Sequence, residues 1–144
     1  MYRNLKRHGR VVLEFGGKGN VEQIVGALRT ILEKRGWAKN AAIPLWYFPS
    51  ISEYTALLER RGFEVTFAAL FNRETRLNEP VNGIKDWVRM FGPAFLHGIT
   101  TAKAEEILEE VQEMLRPVLF KNGSWFADYK RIRIIAIKQG TKID

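Results

Sequence analysis

The sequence predicts an α/β or α+β domain with three strands, and three observations carry that reading. An apolar run near the start, "RVVLEF", is followed directly by a helical pattern. The stretch from Phe63 to Phe71 alternates at strand period, and so does the stretch ending near Lys138. Between them lie segments with apolar residues at helical spacing.

Val11, Val12, Leu13 and Phe15 form a nearly continuous apolar run, broken by Glu14. This suits a strand over 10–15 that is buried on both faces. Asn20 then reads as an N-cap with Gln23 at the capping-box position. Val21, Ile24, Val25, Leu28 and Leu32 fall on one helical face, and Gly36 supplies the stop. "WAKNAAIPLWYFP" reads as a loop. Ser50 and Glu53 form a second capping box, opening a helix that reaches about Arg61 and ends at Gly62.

In the second strand Phe63, Val65, Phe67, Ala69 and Phe71 share one face, opposite Glu64, Thr66, Ala68 and Leu70. "NRETRLNEPVNG" is a polar loop. A helix over 83–91 places Ile84, Trp87, Val88 and Phe91 on one side, and Gly92-Pro93 breaks it. A longer helix over 102–116 carries an acidic outer face and is closed by Pro117. Gly123 marks a turn. Residues 126–138 form the last strand, with Ile132, Ile134 and Ala136 on one face. There is no repeat, linker or low-complexity segment, so residues 1–144 read as one domain.

Composition narrows the chemistry. The chain has 144 residues, 46% hydrophobic and 27% charged, a globular balance. It has no cysteine, which removes disulfides, thiolate catalysis and cysteine metal sites. The N-terminal stretch has no signal-peptide core, and no apolar run reaches the roughly 18 residues of a spanning helix. The expectation is a soluble, cytoplasmic protein with no membrane partner. Net charge is +7. Five Glu fall between Glu105 and Glu113, a solvated helix face rather than a metal site. Basic residues cluster at Arg3, Lys6, Arg7 and Arg10, and again at Lys130, Arg131 and Arg133. Such patches attract nucleic acid or anionic metabolites. Aromatic and basic residues interleave at Tyr129–Arg133, as single-strand binders do. No nucleic-acid motif accompanies them, so a basic binding module is the alternative reading. His8 and His97 stand alone, without metal-ligand spacing.

The glycines after the first strand raise the question of a cofactor. Gly16-Gly17-Lys18-Gly19 does not match G-x-G-x-x-G, and the phosphate loop G-x-x-x-x-G-K-[ST] is absent. Glu14 followed by Gly16, Gly17 and Gly19 comes nearer to a loop that binds S-adenosylmethionine. However, no acidic ribose ligand follows the helix. The competing reading is a turn where glycine permits backbone that other residues resist.

Four stretches read together carry a resemblance. They are "LKRHGRVVLEFGGKGN", "LWYFPSISEYTALLERRGFEV", "GIKDWVRMFGPAFL" and "LRPVLFKNGSWFADYKRIRIIAIK". Over about residues 5–138 the chain resembles the C-terminal half of a class I S-adenosylmethionine-dependent methyltransferase, of the trans-aconitate methyltransferase type. In that family "LKPGGR" leads into the fifth strand. Here Arg7-His8 stands where Pro-Gly is usual. The resemblance implies a partial Rossmann-like sheet of strands five to seven, the last two antiparallel, with covering helices. "EFGGKGN" then matches the end of the fifth strand rather than the cofactor loop. It implies S-adenosylmethionine as the family's cofactor, held by an N-terminal half to which no position here corresponds. No catalytic, cofactor-binding or metal residue is therefore assigned.

Ligands in open α/β sheets sit beyond the carboxyl ends of the parallel strands, where Phe15, Gly16 and Gly17 would lie. Trp46, Tyr47 and Phe48 offer flat surfaces to a small organic substrate. Arg89 offers a clamp for a carboxylate. These seven are the substrate-pocket candidates, against an ordinary reading in which the aromatics serve burial. The fifth strand, without a fourth beside it, would leave a bare apolar edge. That predicts a homodimer, or a partner chain that supplies the cofactor half of a split methyltransferase; an inactive remnant is the other alternative, beside the binding module for nucleic acid or an acidic partner.

Overall fold

The computed structural model describes residues 2–139. In chain order the elements are β1 (Arg10–Gly16), α1 (Glu22–Lys34), α2 (Ala38–Ala41), α3 (Ile51–Arg60), β2 (Phe63–Asn72) and β3 (Thr75–Arg76), followed by α4 (Gly83–Phe91), α5 (Thr101–Leu119), β4 (Phe120–Lys121), β5 (Ser124–Ala127) and β6 (Lys130–Lys138). Short 3₁₀ turns occupy Tyr2–Asn4 and Pro93–Leu96. The mixed α/β class is as expected. The strands among the described residues exceed the three expected, because short pairings form inside the predicted loop and the predicted last strand. No helix among the described residues is long and apolar enough to cross a membrane. The backbone divides into two compact units, each assembled from segments distant in sequence.

Unit one gathers the chain up to Asn20, Phe48–Arg73 and the segment from Lys130. Its sheet has the order β1-β6-β2, with β6 antiparallel to both neighbours. The antiparallel relation of the last two long strands is the one the resemblance implies. Ile132, Ile134 and Ala136 of β6 are fully buried. Across the ladder they meet Phe15, Leu13 and Val11 of β1. Residues directly opposite in an antiparallel pair share a face. On the other side the same three meet Leu70, Ala68 and Val65 of β2. The register slips between Val65 and Phe67, a β-bulge at Thr66.

The bulge corrects the sequence-based reading of β2. One extra residue exchanges the two faces downstream, so Ala68 and Leu70 join Val65 on the core side. Phe67 is turned to the opposite face and is 46% exposed. The core face is closed by α3, whose Ile51, Tyr54 and Leu58 pack on it. The capping box at the start of α3 is formed as expected. Ser50 N–H donates to Glu53 Oε2 at 2.7 Å, and Glu53 N–H donates to Ser50 Oγ at 3.2 Å. The bond from Ser50 N–H comes first, and one from the Ser50 hydroxyl second, in holding the Glu53 carboxyl below its ordinary range.

β1 is also corrected. It lies at the edge of its sheet, and Val12 on the face away from α3 is 55% exposed. The strand is buried on one face, not two. A continuous apolar run does not reveal which neighbours cover each side.

Unit two holds Val21–Tyr47 and Glu74–Tyr129. α1 packs on α5 and α2, and α4 packs on α5 and β5. The predicted apolar face of α1 is buried at Ile24, Leu28 and Leu32, with Ala27 and Ile31 added. Its C-terminus is closed at Gly36, whose φ is +83°, and Trp37 N–H reaches back to Leu32 O at 2.8 Å. The N-terminus differs from the expectation. The helix starts after Val21, and Asn20 does not cap it. Asp128 does so from 105 residues away: its Oδ2 accepts from Gln23 N–H at 2.7 Å.

Asp128 also explains why residues 126–138 are two strands. Phe126 and Ala127 belong to β5, which pairs with β3 and β4. Asp128 and Tyr129 leave the ladder before β6 begins. Two further corrections concern helices. Residues 38–41, read as loop, form the single turn α2. Pro117 lies inside α5 instead of closing it. A proline there forfeits one backbone bond, to the carbonyl of Glu113. Leu115 and Leu119 nevertheless stay four residues apart on the buried face, and both are buried.

Burial raises the Asp128 carboxyl above its ordinary value of 3.8, against the pull of the helix N–H groups. Between 3.8 and the raised value the folded chain binds more proton than the unfolded chain. This residue's contribution to stability therefore falls as pH rises through that window. Asp128→Asn keeps an accepting oxygen and removes the titration. Urea unfolding of both proteins across mildly acidic pH is expected to show wild type losing ground to the variant as pH rises through the window. Parallel curves would contradict the assignment.

Candidate functional site

In unit one the glycine loop is built inward. Gly17 N–H donates to Lys130 O at 3.0 Å, Lys18 N–H to Pro49 O at 2.9 Å, and Asn20 N–H to Gly17 O at 2.9 Å. The Asn20 side chain accepts from Lys130 N–H at 2.7 Å. A phosphate cradle needs such N–H groups aimed at a ligand. Here these donors are spent on the protein itself.

The spaces beside the first two glycines are also filled. A Cβ on Gly16 would lie 2.6 Å from the Phe48 ring and 2.7 Å from the Asn20 amide. On Gly17 it would lie 2.5 Å from a Leu70 methyl. Glycine at these two positions allows close approach. Only Gly19, at φ +85°, is there for backbone geometry. The spaces at Gly16 and Gly17 are thus taken up by the protein's own side chains. Phe15 is half-buried, its ring 4.7 Å from that of Tyr54.

Glu14 has a different place from the cofactor-loop reading. It lies on the sheet face away from α3 and gathers three arginines. Arg133 donates twice to its Oε2, at 2.8 and 2.6 Å, and Arg73 donates to Oε1 at 2.8 Å. Arg131 Nε stands 3.7 Å from Oε1. The Arg133 bonds come first among the causes that hold Glu14 below the usual carboxylate range. The guanidinium of Arg133 also lies 5.2 Å over the Phe71 ring. Arg131 and Arg133 of the second basic cluster are thus engaged with Glu14.

In unit two the candidates are aromatic and ionic. Trp46 lies 6.0 Å from the Trp87 ring and 6.2 Å from that of Phe95. Tyr47 is 68% exposed. Trp87 is buried, as its spacing predicts, and its Nε1–H donates to Tyr129 Oη at 2.8 Å. Phe91, expected on the same buried side, is 48% exposed at the end of α4, with its ring 5.3 Å from Trp87. Arg89 is half-exposed and already occupied. It donates to Asp86 Oδ1 at 2.6 Å and to Glu105.

The acidic face of α5 is solvent-exposed, as expected, and carries a row of ion pairs. Lys85, 8% exposed, donates to Glu105 at 3.0 Å and to Glu109 at 2.7 Å. The bond to Glu109 comes first in raising the Lys85 ammonium above its ordinary range. Arg35 holds Glu110 and Glu106, and Arg116 holds Glu113. Sequence reasoning missed Lys85. The only signal was its place beside Ile84 in a strongly amphipathic helix, which does not mark a buried lysine. Among the described residues no cluster of three or more His, Asp or Glu is arranged to hold a metal.

Comparison with known proteins gives these features a context. No family model matches the chain. The chain is 34% identical over 142 residues to a protein of Schizosaccharomyces pombe described as an uncharacterized methyltransferase. That match covers 95% of this chain and 52% of the relative. The chain is thus similar to part of a methyltransferase. It spans about half the length of the relative that it matches. A solved structure from Bacillus halodurans, provisionally described as a methyltransferase, has the same fold over 96% of this chain and 60% of its own length. Its TM-score is 0.51 and its identity 17%. Over the part that is matched the chain therefore shares the fold of that structure, as the sequence led one to expect.

Two glycines of this chain separate packing from propensity. Gly17→Ala is expected to cost about 1–3 kcal/mol, because the added methyl overpacks against Leu70 and Ile132. Gly26→Ala, in the open face of α1 with nothing within 4 Å of the added carbon, is expected to stabilise by about 0.5–1 kcal/mol. Urea denaturation of both variants checks the opposite signs. A neutral Gly17→Ala would mean that the loop has room for a ligand.

Proposed function

We propose that this chain forms the substrate side of an S-adenosylmethionine-dependent methyltransferase, and that the cofactor is held by polypeptide outside these 144 residues. The observation that carries the proposal is the inward-built glycine loop. Gly17, Lys18 and Asn20 donate to Lys130, Pro49 and Gly17 itself, leaving no cradle for the cofactor's charged groups. The relative's greater length supports the same reading.

Methyl transfer from an activated donor asks the protein mainly for in-line positioning of the acceptor. This chain's part is to bind and orient a small organic acceptor. Trp46 and Tyr47 in unit two offer aromatic faces for that purpose, and Phe15 and Phe48 stand at the carboxyl end of β1 in unit one. Gly16 and Gly17 let that end pack closely. Arg89 would have to release Asp86 or Glu105 to clamp a carboxylate, so it is the least suited of the candidates.

The edge of β1 supports a statement about partners. Among the described residues β1 pairs only with β6, and a free apolar edge is a template for a further strand. We assign that edge to the cofactor-binding polypeptide. In its absence a second copy takes the edge by antiparallel, two-fold pairing.

Calorimetric titration of the purified chain with S-adenosylmethionine tests the reading, with sedimentation run on the same sample. The expected result is no binding heat and a dimer. One-to-one binding would contradict the division of labour. A monomer throughout would contradict the role given to the edge.

A further inference from the structure

A groove in unit one belongs to neither the glycine loop nor the aromatic cluster. It lies between the N-terminal 3₁₀ turn and the C-terminal end of α3, and offers about 840 Å³. That falls within the range of small-molecule sites, roughly 300–1,000 Å³. Leu57, Leu58 and Phe63 give it an apolar floor, and Tyr54 lines one side. Leu57 is 38% exposed, a large apolar side chain left facing solvent.

The charge around this floor is of one sign. Arg3, Arg60 and Arg61 line the groove, and among the described residues no carboxylate does. Elsewhere in the fold Arg35, Arg73, Arg89, Arg116, Arg131 and Arg133 each sit against a Glu or Asp, whereas Arg7, Arg10, Arg29 and Arg76 do not, among the described residues, and do not line this groove. Arg3, Arg60 and Arg61 have no such partner among the described residues. Arg60 and Arg61 gain a little from the negative end of α3. That accounts for basic residues at a helix end, but not for a third arginine brought in from the 3₁₀ turn over an apolar floor. Guanidinium groups pair with carboxylate and phosphate through two parallel hydrogen bonds, which is the complement this rim lacks.

We propose that the groove binds a small organic anion, its apolar body on Leu57, Leu58 and Phe63 and its phosphate or carboxylate held by Arg3, Arg60 and Arg61. The site stands apart from the methyltransferase reading and does not depend on it. Its ligand combines both chemistries. Inorganic phosphate lacks the body, and an uncharged aromatic lacks the head.

The test is an amide-resolved NMR titration of the chain with phenyl phosphate, inorganic phosphate and benzyl alcohol in turn. Phenyl phosphate is expected to give saturable shifts centred on residues 57–63. It should bind about tenfold or more tightly than either partial probe, since a charged hydrogen bond and a buried ring each contribute on the order of one decade. Arg60→Gln and Arg61→Gln, both exposed, should each weaken it about fivefold or more. Rising salt should weaken it further. Equal binding of inorganic phosphate would overturn the apolar half of the proposal. Equal binding of benzyl alcohol, or unchanged affinity in both arginine variants, would overturn the ionic half. Absence of saturable shifts would overturn the whole.

Discussion

Unit one depends on β6. It lies between β1 and β2, antiparallel to both, and its inward side chains are fully buried. Every other feature of that unit is adjusted to the resulting face. β1 presents Phe15, Leu13 and Val11 to it at simple alternation. β2 meets it only by inserting a bulge, which keeps Val65 and then Ala68 and Leu70 on one side. α3 then closes the face with Ile51, Tyr54 and Leu58. The absence of side chains at Gly16 and Gly17 follows from the same packing. Phe48, Leu70 and Ile132 come too near the turn for any Cβ.

Part of the charge in this chain is matched within the fold, which limits which of its arginines are available to a ligand. Glu14 engages three arginines, and α5 engages cations from α1, α4 and itself. Exposed pairs of this kind contribute little stability singly. Their effect here is on availability. An arginine bonded to a carboxylate must give up that partner before it meets an anionic ligand, which separates Arg89 and Arg133 from the arginines of the α3 groove.

What the sequence disclosed is what short-range physics decides. Ser50 and Glu53 cap α3 across three residues, and Gly92-Pro93 ends α4 on the spot. Ile24, Leu28 and Leu32 mark a buried stripe by spacing alone. What it withheld came from long-range partners. Asn20 has the side chain of an N-cap, but Lys130 N–H claims it, and Asp128 serves α1 from the other end of the chain. Thr66 carries no local sign of a bulge, since the demand for one is set by β6. Pro117 reads as a stop, yet burial of Leu119 carries the helix past it. The glycine loop illustrates the same divide. Its composition suggested a cradle or a turn, while the resemblance placed it at a strand's end. Which atoms fill the space beside it is a tertiary fact. The aromatic candidates were legible as aromatic, but the exposure that distinguishes Tyr47 from Phe48 was not.

The account rests on β6 holding unit one, and native-state amide hydrogen exchange tests this most directly, at a dilution where the chain is monomeric. β6 has ladder partners on both sides, so its amides open only when the unit does. The prediction is that amides of Ile132–Ala136 exchange last, and that β1 releases earlier through the half of its amides that face away from β6. Amides of Val11–Phe15 outlasting those of Ile132–Ala136 would contradict it, and would mean that β1 is the strand on which the unit is built.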